Sequence, residues 1–121
     1  YVEAGFADKK ANIDFGNGPV ELTNESVAKT LDNLTFKTEG HNMVVDADAL
    51  FATDTAGAYP LVLTTYEIVC SAGYDEATSK MVKDFLNIAL DHQDAELEAE
   101  GFIPVTGAHA ERLREAINAI Q

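Results

Sequence analysis

The sequence predicts an α/β protein whose sheet is incomplete. Helical and strand-like patterns alternate along its 121 residues, an order that is typical of α/β proteins. One strong strand pattern covers residues 59–70, whereas sheets usually have about four to six strands. We therefore expect that partner strands are missing from this chain.

The N-terminal region predicts a strand end, a short helix and a hairpin. Residues 1–3 fit the tail of a strand, and residues 3–10 fit a short helix. Two short apolar arms, 13–15 and 20–22, flank an Asn17-Gly18 turn. Asn-Gly is a strong hairpin signal because both residues tolerate positive φ.

The next element is predicted as a helix with a defined start. Thr23 is a suitable N-cap because its hydroxyl can accept a hydrogen bond from a free amide at the helix start. Val27, Leu31 and Leu34 recur at the spacing of one helical face, so we expect this face in the core. Residues 43–57 predict a short strand followed by a connection with one helical turn.

Residues 59–70 predict the main strand of the chain. The segment is dominated by β-branched, aromatic and aliphatic residues, which favour strands. It is apolar on both faces, as expected for a strand buried between two helical layers. Pro60 fits the strand start, where its missing N–H interrupts no ladder.

Two amphipathic helices are predicted after this strand. Asp75 is placed to cap the first, whose predicted core stripe is Val82, Phe85, Leu86, Ala89 and Leu90. A short helix over 96–100, closed by Gly101, and an extended stretch over 102–105 follow. Thr106 is placed to cap the last helix, whose predicted inner face is Leu113, Ala116, Ile117 and Ile120.

Composition argues against several classes of function. Lys and Arg number 8 against 21 Asp and Glu, a formal net charge of −13. This charge opposes binding to nucleic acids and to anionic membranes. Cys70 is the only cysteine, so no intrachain disulfide can form. No apolar run approaches the roughly 20 residues of a membrane span.

No chemistry-bearing motif predicts a site within the chain. His41, His92 and His109 share no ligand spacing, and we expect solvated surface histidines. Residues 46–48 begin like a calcium loop but lack the later ligands and the glycine. Cys70 is expected to be a buried structural thiol, because no histidine lies near it in sequence. We predict no catalytic, metal-binding or cofactor-binding residue.

Several short motifs nevertheless occur in a recognisable order. They are Tyr59-Pro60-Leu61-Val62, Tyr66-Glu67-Ile68-Val69, Val82-Lys83-Asp84-Phe85-Leu86, Gly101-Phe102-Ile103-Pro104-Val105 and Glu111-Arg112-Leu113-Arg114-Glu115-Ala116-Ile117. With these motifs, residues 58–121 resemble the C-terminal end of the phosphate-binding protein of the bacterial phosphate ABC transporter. Residues 1–4, Tyr-Val-Glu-Ala, resemble a family segment in which a strand ends and a helix begins. The resemblance is loosest over residues 12–57.

The resemblance implies a two-lobed, periplasmic-binding-protein-like fold of type II. This chain would be its C-terminal portion, an α/β fragment with an incomplete sheet. Residues 1–55 would belong to one lobe. Residues 56–121 would supply the crossover strand and the C-terminal helices of the other lobe, with Pro60 limiting flexibility near the crossover.

The resemblance also implies a function. The intact protein would be a high-affinity receptor that closes on inorganic phosphate and delivers it to the permease of an ABC transporter. It would act outside the cytoplasmic membrane, lipid-anchored or free, and would not be an enzyme. The family's phosphate ligands come mainly from segments upstream of the motif at residues 1–4, so no ligand-binding residue is expected within this chain.

Alternatives stay open at this point. The receptor could serve another oxyanion, or the chain could be a free-standing acidic α/β interaction module. A small α/β enzyme would need Cys70 or the acids near Asp46 in a cleft. A fragment with uncovered strand edges and helix faces is also expected to form a homodimer or a domain-swapped assembly.

Overall fold

A computed structural model describes residues 2–121 and shows a mixed helical and β arrangement. In chain order the elements are a 3₁₀ helix (Ala4–Phe6), β1 (Ile13–Asp14), β2 (Pro19–Val20), α1 (Asn24–Asp32), α2 (Ala47–Phe51), α3 (Glu76–Asp91), α4 (Ala95–Ala99) and α5 (Gly107–Asn118). Five α-helices and a two-stranded sheet in the described part agree with a partial α/β domain. Of the predicted strand end at residues 1–3, Tyr1 lies outside the described residues, and Val2 and Glu3 form no strand.

The predicted hairpin is confirmed. β1 and β2 pair antiparallel, with Ile13 opposite Val20. The Asp14 carboxylate accepts hydrogen bonds from the backbone N–H groups of Gly16 at 2.7 Å and Gly18 at 3.1 Å. Both glycines have positive φ, whereas Asn17 does not. The turn therefore places glycine at its left-handed positions, where a side chain would be strained.

The predicted start and buried face of α1 are confirmed. Thr23 Oγ1 accepts a hydrogen bond from the Ser26 N–H at 3.1 Å, and Ser26 Oγ accepts one from the Thr23 N–H at 3.0 Å. This reciprocal capping box satisfies two amides at once. Val27, Leu31 and Leu34 are buried and form the first core cluster together with Tyr59.

The region between α1 and the predicted main strand is confirmed in part. The helical turn is present as α2, and its N-cap Asp46 accepts hydrogen bonds from the N–H groups of Asp48 and Ala49. The short strand expected at residues 43–45 is reduced to a single antiparallel bridge between Phe36 and Val45. One bridge is too little to extend the hairpin sheet.

The prediction of a strand at residues 59–70 is wrong for this structure. The start of the range is held firmly, since Tyr59 N–H donates to the Ser26 carbonyl at 3.0 Å and Pro60 is fully buried. Residues 61–69, named here the unpaired segment, belong to no strand. Within residues 2–121 no other strand lies beside them to complete a ladder, and without a partner the local preference for a strand is not expressed.

α3 packs against α5 and forms a second core cluster. Leu86, Ile117 and Ile120 are buried there, with Val82 and Leu90 packed around them. The Asp75 cap is confirmed by a hydrogen bond from the Thr78 N–H at 3.0 Å. The predicted stripe is wrong in part: Phe85, expected in the core, is 63% exposed, and Ala89 is also exposed.

The N-terminal residues pack against the turn that ends α4. As predicted, Gly101 follows this short helix, with a φ of +94°. Gly5 N–H donates to the Gly101 carbonyl at 2.9 Å. The two backbones approach so closely that a Cβ on Gly5 would lie 2.1 Å from Gly101 Cα. Glycine is therefore required at position 5 for this contact.

Candidate functional site

The most elaborate polar contact in the structure lies between α1 and α5. It consists of Asp32, Phe36, Gly107, His109 and Arg112, and is named here the α1–α5 joint. The prediction that Thr106 caps α5 is wrong, because Thr106 takes the N-cap position without a capping hydrogen bond. Asp32, at the end of α1, instead accepts a hydrogen bond from the His109 N–H at 3.1 Å. A carboxylate there is favoured by the positive end of the helix dipole.

His109 is the buried centre of this joint. Only 8% of the residue is exposed, so the prediction of a solvated surface histidine is wrong for this residue. Its Nδ1 lies 3.0 Å from Nη1 of Arg112, whose guanidinium stacks 5.2 Å from the centre of the Phe36 ring. Since Arg112 can only donate, Nδ1 acts as the acceptor and carries no proton.

The surroundings of His109 disfavour its charged form. Burial is the largest cause that lowers its pKa below 6.5, the Arg112 charge lowers it further, and the Asp32 charge opposes both. The folded state therefore holds this imidazole neutral at a pH where the unfolded chain begins to bind a proton. The joint connects α1 to α5 and so ties the two halves of the chain together.

We expect His109 to make the stability of the chain depend on pH. Because its pKa is lower in the folded state, the free energy of unfolding should be highest above about pH 6.5 and fall as the pH decreases towards the folded-state pKa. One such group contributes a slope of at most about 1.4 kcal/mol per pH unit. Urea unfolding at several pH values between 5 and 8 measures this slope.

His109→Gln should flatten the slope, and His41→Gln provides the matched control. His41 is exposed, so its replacement should leave the pH dependence as in the wild type. An unchanged slope in His109→Gln would show that other groups cause the pH dependence.

The remaining candidate residues are not brought together. His41 and His92 are both exposed, so the prediction of surface histidines is confirmed for these two. His92 Nδ1 lies 3.6 Å from a carboxylate oxygen of Asp94. Within residues 2–121, no group of three or more His, Cys, Asp or Glu side chains is arranged to hold a metal ion.

Cys70 and Asp46, the residues proposed for an enzyme, have separate structural settings. The prediction that Cys70 is buried is wrong: its thiol is free and exposed, because it lies directly after the unpaired segment. The Cys70 N–H donates to the Tyr74 hydroxyl at 2.9 Å. Asp46 uses its carboxylate to cap α2. Neither residue has a neighbouring base in the described hydrogen bonds.

A wide, open depression lies beside the first half of α3. It measures about 490 Å³ and is lined by Tyr74, Lys80, Lys83, Asp84 and Gln121, among others. Lys80 and Asp84 on its wall already form an ion pair. Among the described residues, no buried side-chain nitrogen or oxygen lacks a hydrogen-bond partner.

The other prominent feature is apolar. The unpaired segment exposes Leu61 at 55%, Leu63 at 70%, Tyr66 at 56% and Ile68 at 92%. Water-exposed aliphatic and aromatic side chains in such a run are typical of a surface that another polypeptide covers. The sequence had identified this run as apolar on both faces.

Comparison with known proteins identifies the chain's relatives. It is 37% identical over 126 aligned residues to phosphate-binding protein PstS 3 of Mycobacterium tuberculosis, covering 99% of this chain and 34% of that protein. It is 36% identical over 105 residues to phosphate-binding protein PstS2 of Mycobacterium bovis, covering 87% of this chain and 28% of the relative. A third relative, phosphate-binding protein PstS 3 of Mycobacterium leprae, is 35% identical over 102 residues.

The chain therefore spans about a third of the length of these curated relatives. No family model matches it. No solved structure matches it either. No helix within residues 2–121 is both long enough and apolar enough to cross a membrane. The resemblance inferred from the motifs is confirmed: along nearly its whole length, this chain is similar to a segment of phosphate-binding proteins.

Proposed function

We propose that this chain is part of a receptor that binds inorganic phosphate and delivers it to an ABC transporter. The observation that carries the proposal is the similarity to phosphate-binding proteins over 99% of the chain. The receptor acts outside the cytoplasmic membrane, as a binding protein rather than an enzyme. Its mechanism is closure of two lobes around the anion.

The proposed architecture is the two-lobed type II fold, of which this chain forms the C-terminal portion. Residues 1–55 are assigned to one lobe and residues 56–121 to the other. The unpaired segment supports this assignment, because it has the composition of an interior strand and no strand beside it within residues 2–121. The phosphate ligands are assigned to parts of the receptor outside this chain.

Phosphate titration calorimetry tests the function. The complete receptor should bind inorganic phosphate with one site per molecule, whereas the isolated chain should give no specific heat of binding. The physical reason is that the ligand residues are assigned to other segments. Sulfate serves as the control anion, because it shares the tetrahedral shape of phosphate and differs in its protons.

Each other outcome of the titration has a defined meaning. Tight binding of phosphate by the isolated chain would place ligand residues within it and overturn the assignment of the site. Preference of the complete receptor for sulfate would favour the alternative of a different oxyanion. Absence of anion binding by the complete receptor would favour a free-standing interaction module.

We also propose that the isolated chain forms a homodimer or a domain-swapped assembly. An exposed apolar run with free backbone groups can pair with the same run of a second copy. Light scattering during size-exclusion chromatography should then show a mass above 13.0 kDa at micromolar concentration. A clean monomer would contradict this prediction.

A further inference from the structure

The α1–α5 joint connects two parts of the chain that the proposed architecture assigns to different lobes. Asp32 and Phe36 belong to residues 1–55, whereas His109 and Arg112 belong to residues 56–121. Several other hydrogen bonds also connect the two ranges, among them those from Gly5 to Gly101, Asn24 to Glu98 and Tyr59 to Ser26. Within residues 2–121, the joint is the one hydrogen-bonded contact between these ranges that contains a histidine.

The position of His109 makes the joint sensitive to a proton. Histidine is the side chain whose ordinary pKa places its change of charge between pH 5 and 8. Nδ1 of His109 accepts a hydrogen bond from Nη1 of Arg112 at 3.0 Å, so a proton on Nδ1 would replace this bond with two donors that face each other. Both donors would be positively charged, and the burial of His109, which is 8% exposed, limits the screening of their repulsion by water.

Two charged groups face His109 and act on it in opposite directions. Burial and then the Arg112 charge lower the pKa of His109, and the Asp32 charge from α1 only partly offsets them. The ion pairs on the neighbouring helices do not include His109, since they join Glu25 to Lys29 on α1 and Asp91 of α3 to Arg114 of α5. The intact joint therefore opposes protonation, and by linkage protonation opposes the intact joint.

The joint also fixes the direction of α1 relative to residues 56–121. Near the start of α1, the Ser26 carbonyl accepts a hydrogen bond from the Tyr59 N–H at 3.0 Å. At the end of the helix, Asp32 accepts one from the His109 N–H at 3.1 Å. Two separated attachments hold a helix in one direction, whereas one attachment lets it pivot. Loosening of the joint would therefore let α1 pivot about its contact with Tyr59, and the two lobes would lose a defined relative position.

A less defined position of the lobes affects ligand binding. A site that closes between two lobes binds more weakly when the lobes are free to move, because more conformational freedom is lost on closure. The protonation state of His109 can thus change the affinity of a site that contains no atom of the joint.

We propose that the α1–α5 joint is a proton-sensitive contact between the two lobes of the receptor, and that protonation of His109 weakens phosphate binding. This inference rests on the proposed function and on its assignment of residues 1–55 and 56–121 to different lobes. Above about pH 6.5 the imidazole is neutral and the joint is intact. As the pH falls towards the folded-state pKa of His109, the joint loosens and the affinity for phosphate decreases.

Phosphate titration calorimetry of the complete receptor between pH 5 and pH 7.5 tests this proposal. His109→Gln keeps an acceptor for Arg112 but takes up no proton in this range. Phosphate changes its own protonation over the same range, and dividing the wild-type affinity by that of His109→Gln removes this contribution. The ratio should fall at least about threefold between pH 7.5 and pH 5, and by no more than about tenfold per pH unit.

Two further variants distinguish a proton-sensitive contact from a merely structural one. Arg112→Gln removes the positive charge that lowers the pKa of His109, so the affinity should begin to fall at a higher pH than in the wild type. His41→Gln is the matched control, because His41 is exposed, and it should follow the wild-type profile.

A measurement on the unmodified receptor avoids any folding defect of the variants. An NMR titration of the His109 ring gives its pKa with and without inorganic phosphate. Because coupling is reciprocal, phosphate should lower the pKa of His109 by the same factor by which protonation weakens phosphate binding. An equal pKa in both titrations, or parallel affinity profiles of the wild type and His109→Gln, would overturn the proposal. Absence of phosphate binding at every pH would instead contradict the proposed function.

Discussion

Replacing Leu31 with alanine is expected to lower the free energy of unfolding of the isolated chain by about 2–5 kcal/mol. Leu31 is 4% exposed and belongs to the core cluster that joins α1 to Tyr59. The substitution removes buried methyl groups and leaves a cavity that the neighbours fill only partly. Because small domains are stable by about 5–15 kcal/mol, the loss is a large fraction of the total. Urea unfolding followed by far-UV circular dichroism measures it.

The matched control is the same chemical change at Leu63. This leucine is 70% exposed in the single chain, so at a protein concentration at which the isolated chain is monomeric, Leu63→Ala should change its stability by no more than about 0.5 kcal/mol. In the complete receptor, where the unpaired segment is proposed to be an interior strand, Leu63 is expected to be buried, and the same substitution should then be as costly as a core substitution. Similar losses for Leu31→Ala and Leu63→Ala in the isolated chain would show that its core is not the one described.

Local elements could be predicted because their causes lie within a few residues. The Thr23 and Asp75 caps each act on an amide three positions away. The face formed by Val27, Leu31 and Leu34 follows from helical spacing alone. The hairpin likewise depends on the glycines of its own turn.

Features that depend on distant residues could not be predicted in the same way. Asp32 caps α5 from 77 positions away. The sequence pattern instead predicted Thr106 as the cap, because it lies directly before the helix. Burial of His109 depends on α1 and Arg112 together, which no local pattern encodes. The exposure of Phe85 has the same origin, since periodicity identifies an apolar face but not the layer that covers it.

In the unpaired segment, the local preference of the residues and the surrounding structure lead to different results. Its residues favour a strand, but a strand is stable only when its backbone groups are paired. Within residues 2–121 that pairing is absent, and the segment forms no strand. The candidate site could not be compared in this way, because the sequence predicted no ligand-binding residue within this chain.

The second large effect is expected at Gly5. A Cβ there would lie 2.1 Å from Gly101 Cα, and a backbone atom cannot turn away as a side chain can. Gly5→Ala should therefore cost about 1–3 kcal/mol through overpacking, or release the N-terminal residues from Gly101. Urea unfolding gives the loss of stability. Hydrogen exchange of the Gly5 amide, which donates to the Gly101 carbonyl, reports the release.

Gly16→Ala separates this steric effect from backbone strain. Gly16 has a φ of +100°, and an added Cβ would meet nothing within 4 Å. Its replacement should cost about 1 kcal/mol from the left-handed conformation and leave the Gly5 amide protected. Gly5 is not among the positive-φ glycines, so its cost must come from contact with Gly101. A Gly5→Ala variant with wild-type stability and a protected amide at position 5 would mean that the N-terminal residues do not pack against Gly101 in solution.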